Sequence, residues 1–262
     1  MSIQRVQQRN YWELAKRLLI LAAVVYVFVW AASGVRFDLA RLQRGLPSIG
    51  RIIDNMFPPD WSMRQRAMEG MMQSLYIAIL GTTIGSVLAI PLGFFAAQNV
   101  LVYRFLSLFG KQVLNAIRTF PEIILAIFFV ASYGPGPMAG LMAVGIHSIG
   151  MLGKLYADII ENIDPGPVEA LTSTGATRVE IVWYAILPQV MPEFIATSLY
   201  RFEINMRAAA TLGLVGAGGI GVLLLQALQF RRWPVVGMAM IAIVVVVTVI
   251  DYSSAYVRKR IV

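Results

Sequence analysis

The sequence predicts an all-α polytopic membrane protein of about six transmembrane helices. Three observations carry this. Of 262 residues, 58% are hydrophobic and only 14% charged, against roughly 25% charged in a soluble domain. Uncharged windows such as Leu18–Val35 and Gly70–Tyr103 reach the ~17–25 residues that a helix needs to cross hydrocarbon. Lys/Arg clusters flank those windows at Lys16/Arg17, Arg104/Lys111 and Arg258–Arg260, as cytoplasmic flanks do. The net charge of +8 then reads as contact with membrane lipid rather than nucleic acid. Absence of cysteine excludes disulfides and thiolate chemistry. A single histidine, His147, leaves no His-based metal site, and no metal is expected.

Taken in order, residues 1–17 form a basic cytoplasmic tail. Leu18–Val35 is a first span, kept rather than cleaved, because Trp30-Ala-Ala-Ser is a poor cleavage site. Residues 36–69 follow on the periplasmic side and complete an N-terminal region of residues 1–69. They hold Arg36, Arg41, Arg44, Arg51, Arg64 and Arg66. Leu39, Leu42, Leu46, Ile49, Ile52, Ile53 and Met56 recur at helical spacing, so an amphipathic interfacial helix is expected, ended by Phe57-Pro-Pro-Asp60. A membrane domain over residues 70–257 comes next. Span two covers about Met72–Ala97, with Gly81-x-x-x-Gly85 permitting close packing. Span three covers about Gln112–Ser132, and Gly134-Pro-Gly-Pro137 turns the chain into span four, about Met138–Tyr156. Span five is set at Gln189–Leu212, because the glycines between 213 and 221 would each cost up to ~1 kcal/mol inside a helix. That glycine-rich piece is expected as an outer turn and short helix. Span six is Pro234–Val257, before a cytoplasmic tail, 258–262. Six spans place both termini and the 162–188 loop on the cytoplasmic side.

That loop is polar and punctuated. Pro165 and Pro167 suit a first helical turn after Asp164. Gly175 suits the left-handed residue that closes the helix. Thr177 and Glu180 fit a capping box opening a second helix, expected to end near Pro188. In a soluble chain this would suggest a DNA-reading helix-turn-helix; between two spans it does not.

Glu169-Ala170-Leu171, Gly175 six residues after the glutamate, and Ile186-Leu187-Pro188 resemble the EAA loop of bacterial ABC importer permeases. Phe57-Pro-Pro-Asp60, Glu161-x-Ile-Asp-Pro-Gly-Pro-Val-Glu169, Leu187-Pro-Gln-Val-Met-Pro192, Tyr200-Arg-Phe-Glu203-x-Asn205-x-Arg207 and Gly213-x-Val215-Gly-Ala-Gly-Gly-Ile-Gly221 extend the likeness to the phosphonate-importer permease family, from about residue 55 to the C-terminus. The resemblance implies a type I ABC importer (MetI-like) fold in the bacterial inner membrane. It implies a second permease copy, two cytoplasmic ATPase subunits and a periplasmic substrate-binding protein. The cargo would be a small phosphorus oxyanion: phosphonate, phosphite or phosphate. Within that frame Asp164, Pro165, Glu169, Ala170, Leu171, Gly175 and Arg178 are the residues that couple to the ATPase. Gly216, Gly218, Gly219 and Gly221 mark the outer turn where the binding protein docks.

Ionisable groups inside spans cost ~2.5–3.5 kcal/mol each on insertion scales and should face protein or water. Arg201, Glu203, Asn205 and Arg207 in span five, Glu122 in span three, and His147 with Ser148 in span four are therefore candidates for the substrate pathway. Arginine suits a phosphorus oxyanion, and Arg207 and Asn205 are expected nearest it. Two pairs at i,i+4, Glu203–Arg207 and Arg118–Glu122, are expected within their helices. No G-x-x-x-x-G-K-[ST] occurs, so ATP and Mg would bind only the partner subunits, and this chain needs no cofactor. Gly216-x-Gly218-x-x-Gly221 lacks the strand that a dinucleotide site requires. A permease for another small anion is the nearest alternative. A secondary transporter would be expected to show inverted repeats, and none is evident. A membrane phosphatase would need clustered catalytic groups.

Overall fold

A computed structural model describes residues 3–35, 38–99 and 104–261. Arg36 and the side chains of residues 3–10, Leu42 and Arg104 lie outside the described residues. The chain forms two units, divided between Asp54 and Asn55.

The first unit holds α1 (Ile3–Gly34) and most of α2 (Leu39–Met56). α1 contains the expected first span and extends it through the basic tail. In α2, Leu39, Leu46, Ile49 and Ile53 share one side and Arg41, Arg44 and Arg51 the other, the division that an interfacial helix needs. Asp38 caps α2 by accepting the Ala40 N–H at 2.8 Å.

The second unit, residues 55–262, holds the remaining helices: α3 (Arg64–Ala96), α4 (Arg104–Thr119), α5 (Glu122–Tyr133), α6 (Pro137–Glu161), α7 (Pro165–Ser173), α8 (Arg178–Ile181), α9 (Leu187–Leu212), α10 (Ile220–Gln229) and α11 (Trp233–Arg258). It begins well before residue 70. Asp60 N–H bonds the Pro234 carbonyl at 3.0 Å, and the Met56 carbonyl lies directly over Gly237. Both tie the segment before α3 to the top of α11. Among the described residues, five helices are long and apolar enough to cross a membrane, or six if the bent pair α4–α5 counts as one span.

Small residues decide the packing. α3 and α6 run parallel with almost no gap. A Cβ on Gly81 would come within 2.7 Å of Val144 Cγ1, on Gly85 within 2.6 Å of Ser148 Cβ, and on Gly93 within 2.8 Å of Tyr156 Cβ. Without a hydrophobic drive between helices in lipid, such close backbone approach supplies the contact. α4 packs antiparallel on the other side of α6, where Gly153 meets Leu114 and Gly150 meets Ile117. α9 also runs antiparallel to α6, with Tyr156 stacked on Phe194 at 4.0 Å between ring centroids.

Three expectations change. Span three is not one straight helix: α4 and α5 meet at 77° across Phe120-Pro121. Proline has no N–H to continue the ladder, and its ring disfavours helix in the residue before it. Span four runs to Glu161, five residues past the expected end. The helix after Gly175 does not stop near Pro188. It passes through a π-helical turn, Val182–Ile186, directly into α9. Pro188 cannot donate to the carbonyl four residues back, and the wider turn absorbs that defect: Leu187 N–H bonds the Val182 carbonyl, five residues back.

Candidate functional site

The loop between α6 and α9 is built from its caps inward. The Asp164 carboxylate accepts the Gly166 N–H at 3.0 Å, and Pro165 occupies the first helical position. At the other end Gly175 adopts φ +81°, Ala176 N–H bonds the Leu171 carbonyl at 3.2 Å and Gly175 N–H bonds that of Thr172 at 3.1 Å. These two bonds are the Schellman closure. The next helix opens with the expected capping box. Glu180 accepts the Thr177 N–H at 2.6 Å, and Thr177 Oγ1 accepts the Glu180 N–H at 3.4 Å. α7 is thus a short helix fixed at both ends. Glu169, Ala170 and Arg178 are exposed and Leu171 half-buried, so one face stands free while Val168 packs inward with Ile163, Ile181, Val182 and Leu187.

Two anchors were not legible as functional. Gln189 Oε1 accepts the Asp164 N–H at 3.0 Å, and its Nε2 donates to the Ala185 carbonyl at 2.7 Å. Glu161, at the end of α6, pairs with Lys111 Nζ at 2.7 Å and accepts the Gln98 N–H at 2.7 Å. It joins the end of α6 to the middle of α4 and to the chain just after α3. Only spacing along the chain could have signalled either, and both partners lie far away in sequence.

In the membrane half, six polar side chains from four helices form one network. Arg201 Nη2 on α9 pairs with Glu122 Oε1 at 2.5 Å, and His147 Nε2 on α6 lies 3.4 Å from the same oxygen. His147 Nδ1 lies 3.1 Å from the Phe120 carbonyl, at the bend between α4 and α5. Ser148 Oγ accepts from Asn205 Nδ2 at 2.8 Å and from Arg201 Nε at 3.4 Å. Asn205 Nδ2 also donates to Thr82 Oγ1 on α3 at 2.8 Å. Arg201, Asn205, Ser148 and Thr82 are all buried, and Asn205 Oδ1 has no partner. The sequence candidates Glu122, His147, Ser148, Arg201 and Asn205 are therefore brought together, and Thr82 joins them. The network faces inward, between helices.

Both pairs expected within helices are replaced. Glu122 turns to Arg201 and His147 because the bend carries it away from Arg118, and an i,i+4 pair needs an unbroken helix. Arg118 is exposed. Glu203 and Arg207 pair across to α11 instead: Arg258 Nη2 to Glu203 Oε1 at 3.0 Å, and Arg207 Nη1 to Asp251 Oδ2 at 3.1 Å. Antiparallel α11 presents its charges in the complementary order. Arg207 is the open member, with a side chain 52% exposed.

The glycine turn is more buried than its expected role suggested. Gly218 and Gly219 adopt φ +82° and +76° and, with Gly221, are buried; only Gly216 is half-open. Gly219 N–H bonds Gln73 Oε1 and Ile220 N–H bonds Ser74 Oγ, each at 3.1 Å. The turn seats the N-terminus of α10 on α3. Beside the polar network, α3 and α9 frame a groove of about 510 Å³, lined by Ile79, Thr83, Val87, Ile195, Leu199 and Phe202 among others.

Residues 89–262 match the family of binding-protein-dependent transport system inner membrane components. The chain belongs to that family. Its matched part starts within α3 and takes in the capped loop, the polar network apart from Thr82, and the glycine turn. The permease is 36% identical to the phosphite transport system permease protein PtxC of Stutzerimonas stutzeri over 96% of this chain and 90% of that one. It is 41% identical to the phosphate-import permease protein PhnE of Mycolicibacterium smegmatis over 82% of this chain and 41% of the longer relative. In fold it is similar to the inward-facing MetNI methionine ABC transporter, with a TM-score of 0.67 over 78% of this chain and 99% of that one at 20% identity. The expected MetI-like, all-helical permease architecture and a transport rather than enzymatic role agree with these likenesses.

Proposed function

We propose that this permease carries a small phosphorus oxyanion into the cytoplasm by alternating access, as one of two copies joined to two ATPase subunits and a periplasmic binding protein. The observation that carries the reading is the capped, outward-facing α7 hung between two spans. It is a short rigid lever with a free face and no chemistry of its own. The substrate class rests on similarity to phosphite and phosphate permeases over most of the chain. Glu169 stands on the free face and offers its carboxylate to a basic group of an ATPase subunit. The termini and the loop share the cytoplasmic side, consistent with the charge flanks.

The buried network is the supporting wall of the pathway, and Arg207, open and cationic, is the group placed to meet the anion. The apolar α3–α9 groove beside it suits the second permease copy. At the outer side, contact with the binding protein falls to residues around Gly216, since Gly218, Gly219 and Gly221 are enclosed. The reading is tested in proteoliposomes holding the assembled importer. Glu169→Lys is expected to abolish stimulation of ATP hydrolysis by the loaded binding protein, and normal transport in that variant sinks the coupling assignment. Arg207→Ala is expected to lower uptake; unchanged affinity and rate would remove Arg207 from the pathway.

A further inference from the structure

We propose that Gln189 is a positioning residue of the transport cycle, whose side-chain amide clasps the start of α7 to the π turn so that the coupling helix and α9 move as one body. This rests on the coupling role proposed above. One amide meets both backbone groups of Asp164: Oε1 accepts its N–H at 3.0 Å, and Nε2 reaches its carbonyl at 3.4 Å. The same Nε2 donates to the Ala185 carbonyl at 2.7 Å, within the π turn. Asp164 is the residue whose carboxylate caps α7. A side chain carrying donor and acceptor on one carbon is required, which a carboxylate is not.

The alternative path for force shows why the clasp matters. Along the chain, α7 connects to α9 through Thr174–Thr177, where Gly175 sits at φ +81° with open space around it. The two Schellman bonds close α7 there, but no side chain at Gly175 ties it to α9. Through Gln189 the path is two hydrogen bonds long and ends on the helix that carries Arg201, Asn205 and Arg207. Val168, Val182 and Leu187 are partly buried against the same hydrophobic cluster. At the same end of the loop, three residues before Asp164, Lys111–Glu161 ties α6 to α4 at 2.7 Å.

The test uses the assembled importer with its ATPase and binding protein in proteoliposomes. ATP hydrolysis, its stimulation by the binding protein, and uptake of radiolabelled phosphite are read in the same vesicles. Gln189→Ala and Gln189→Asn, the latter one methylene too short, are expected to lower both uptake per ATP and stimulation by about tenfold, within the usual range of coupling between sites. Basal hydrolysis stays near wild type. Gln189→Glu keeps the acceptor for Asp164 N–H and is expected to fall less. A variant that assembles normally yet retains wild-type stimulation overturns the proposal, and so does a parallel loss of basal hydrolysis and stimulation in all three. A wild-type assembly that is stimulated but takes up no phosphite contradicts the substrate reading alone, because stimulation still reports on the clasp.

Discussion

Glu122 and Arg201 make an asymmetric pair, and the asymmetry can be measured. Arg201 is 3% exposed, and its guanidinium stays charged in any environment. If Glu122→Gln removes the carboxylate charge, Arg201 keeps only neutral acceptors, the new amide oxygen and Ser148 Oγ at 3.4 Å. An uncompensated charge at membrane depth costs ~2.5–3.5 kcal/mol on insertion scales, and breaking a buried pair costs a similar ~3–5 kcal/mol. About 3 kcal/mol is expected, or roughly a hundredfold in the folding equilibrium. Arg201→Met leaves Glu122 with His147 at 3.4 Å, and a carboxyl can also take up a proton. That variant is expected to lose at least ~1 kcal/mol less. The double variant Glu122→Gln/Arg201→Met removes both charges and should recover most of the loss, since a buried pair and an apolar replacement are often equivalent. Reversible unfolding in mixed detergent micelles, run as a double-mutant cycle, reads all three. Equal single effects that add in the double variant would refute the argument.

Packing and capping give further expectations. Gly85→Ala should lower the thermal midpoint more than Gly81→Ala, because the new methyl meets Ser148 Cβ at 2.6 Å in one case and a terminal Val144 methyl at 2.7 Å in the other. Gly175→Ala has open space around it and should cost only the left-handed strain, ~1–2 kcal/mol; Gly218→Ala adds a 2.7 Å approach to Pro137 Cα and should cost more in the same melting assay. Thr177→Ala removes half of the capping box, and loss of ~1 kcal/mol of local stability should appear as faster amide exchange over residues 177–181.

The sequence was most informative where structure is local. Pro165, Gly175, Thr177 and Glu180 each act within a few residues, and each stands at its expected helix-end position. The spans follow from hydropathy, and their ends shift by a few residues because helices run beyond the apolar window. Pairings between helices were not legible. Glu122 lies 79 residues from Arg201, and Glu203 lies 55 from Arg258, so i,i+4 spacing offered nearer but wrong partners. Proline was read as lying inside an unbroken span three at Pro121 and as a stop at Pro188. It breaks the helix sharply at the first and is absorbed by a wider turn at the second. Gln189 carries no signal of its own in a single sequence.

The π turn at Val182–Ile186 has a consequence for the phase of the whole α8–α9 rod. One residue more or less in a helix rotates everything on its far side by about 100°. The turn therefore sets the azimuth at which the membrane half leaves the cytoplasmic half. Deleting one residue there would restore ordinary pitch yet swing Thr177 and Arg178 about a quarter-turn around the axis relative to Arg201 and Asn205. Each half would keep its own sequence and packing face, and the two would no longer point in compatible directions. The angular offset between what α7 offers outside and what α9 buries inside is thus encoded by a single surplus residue.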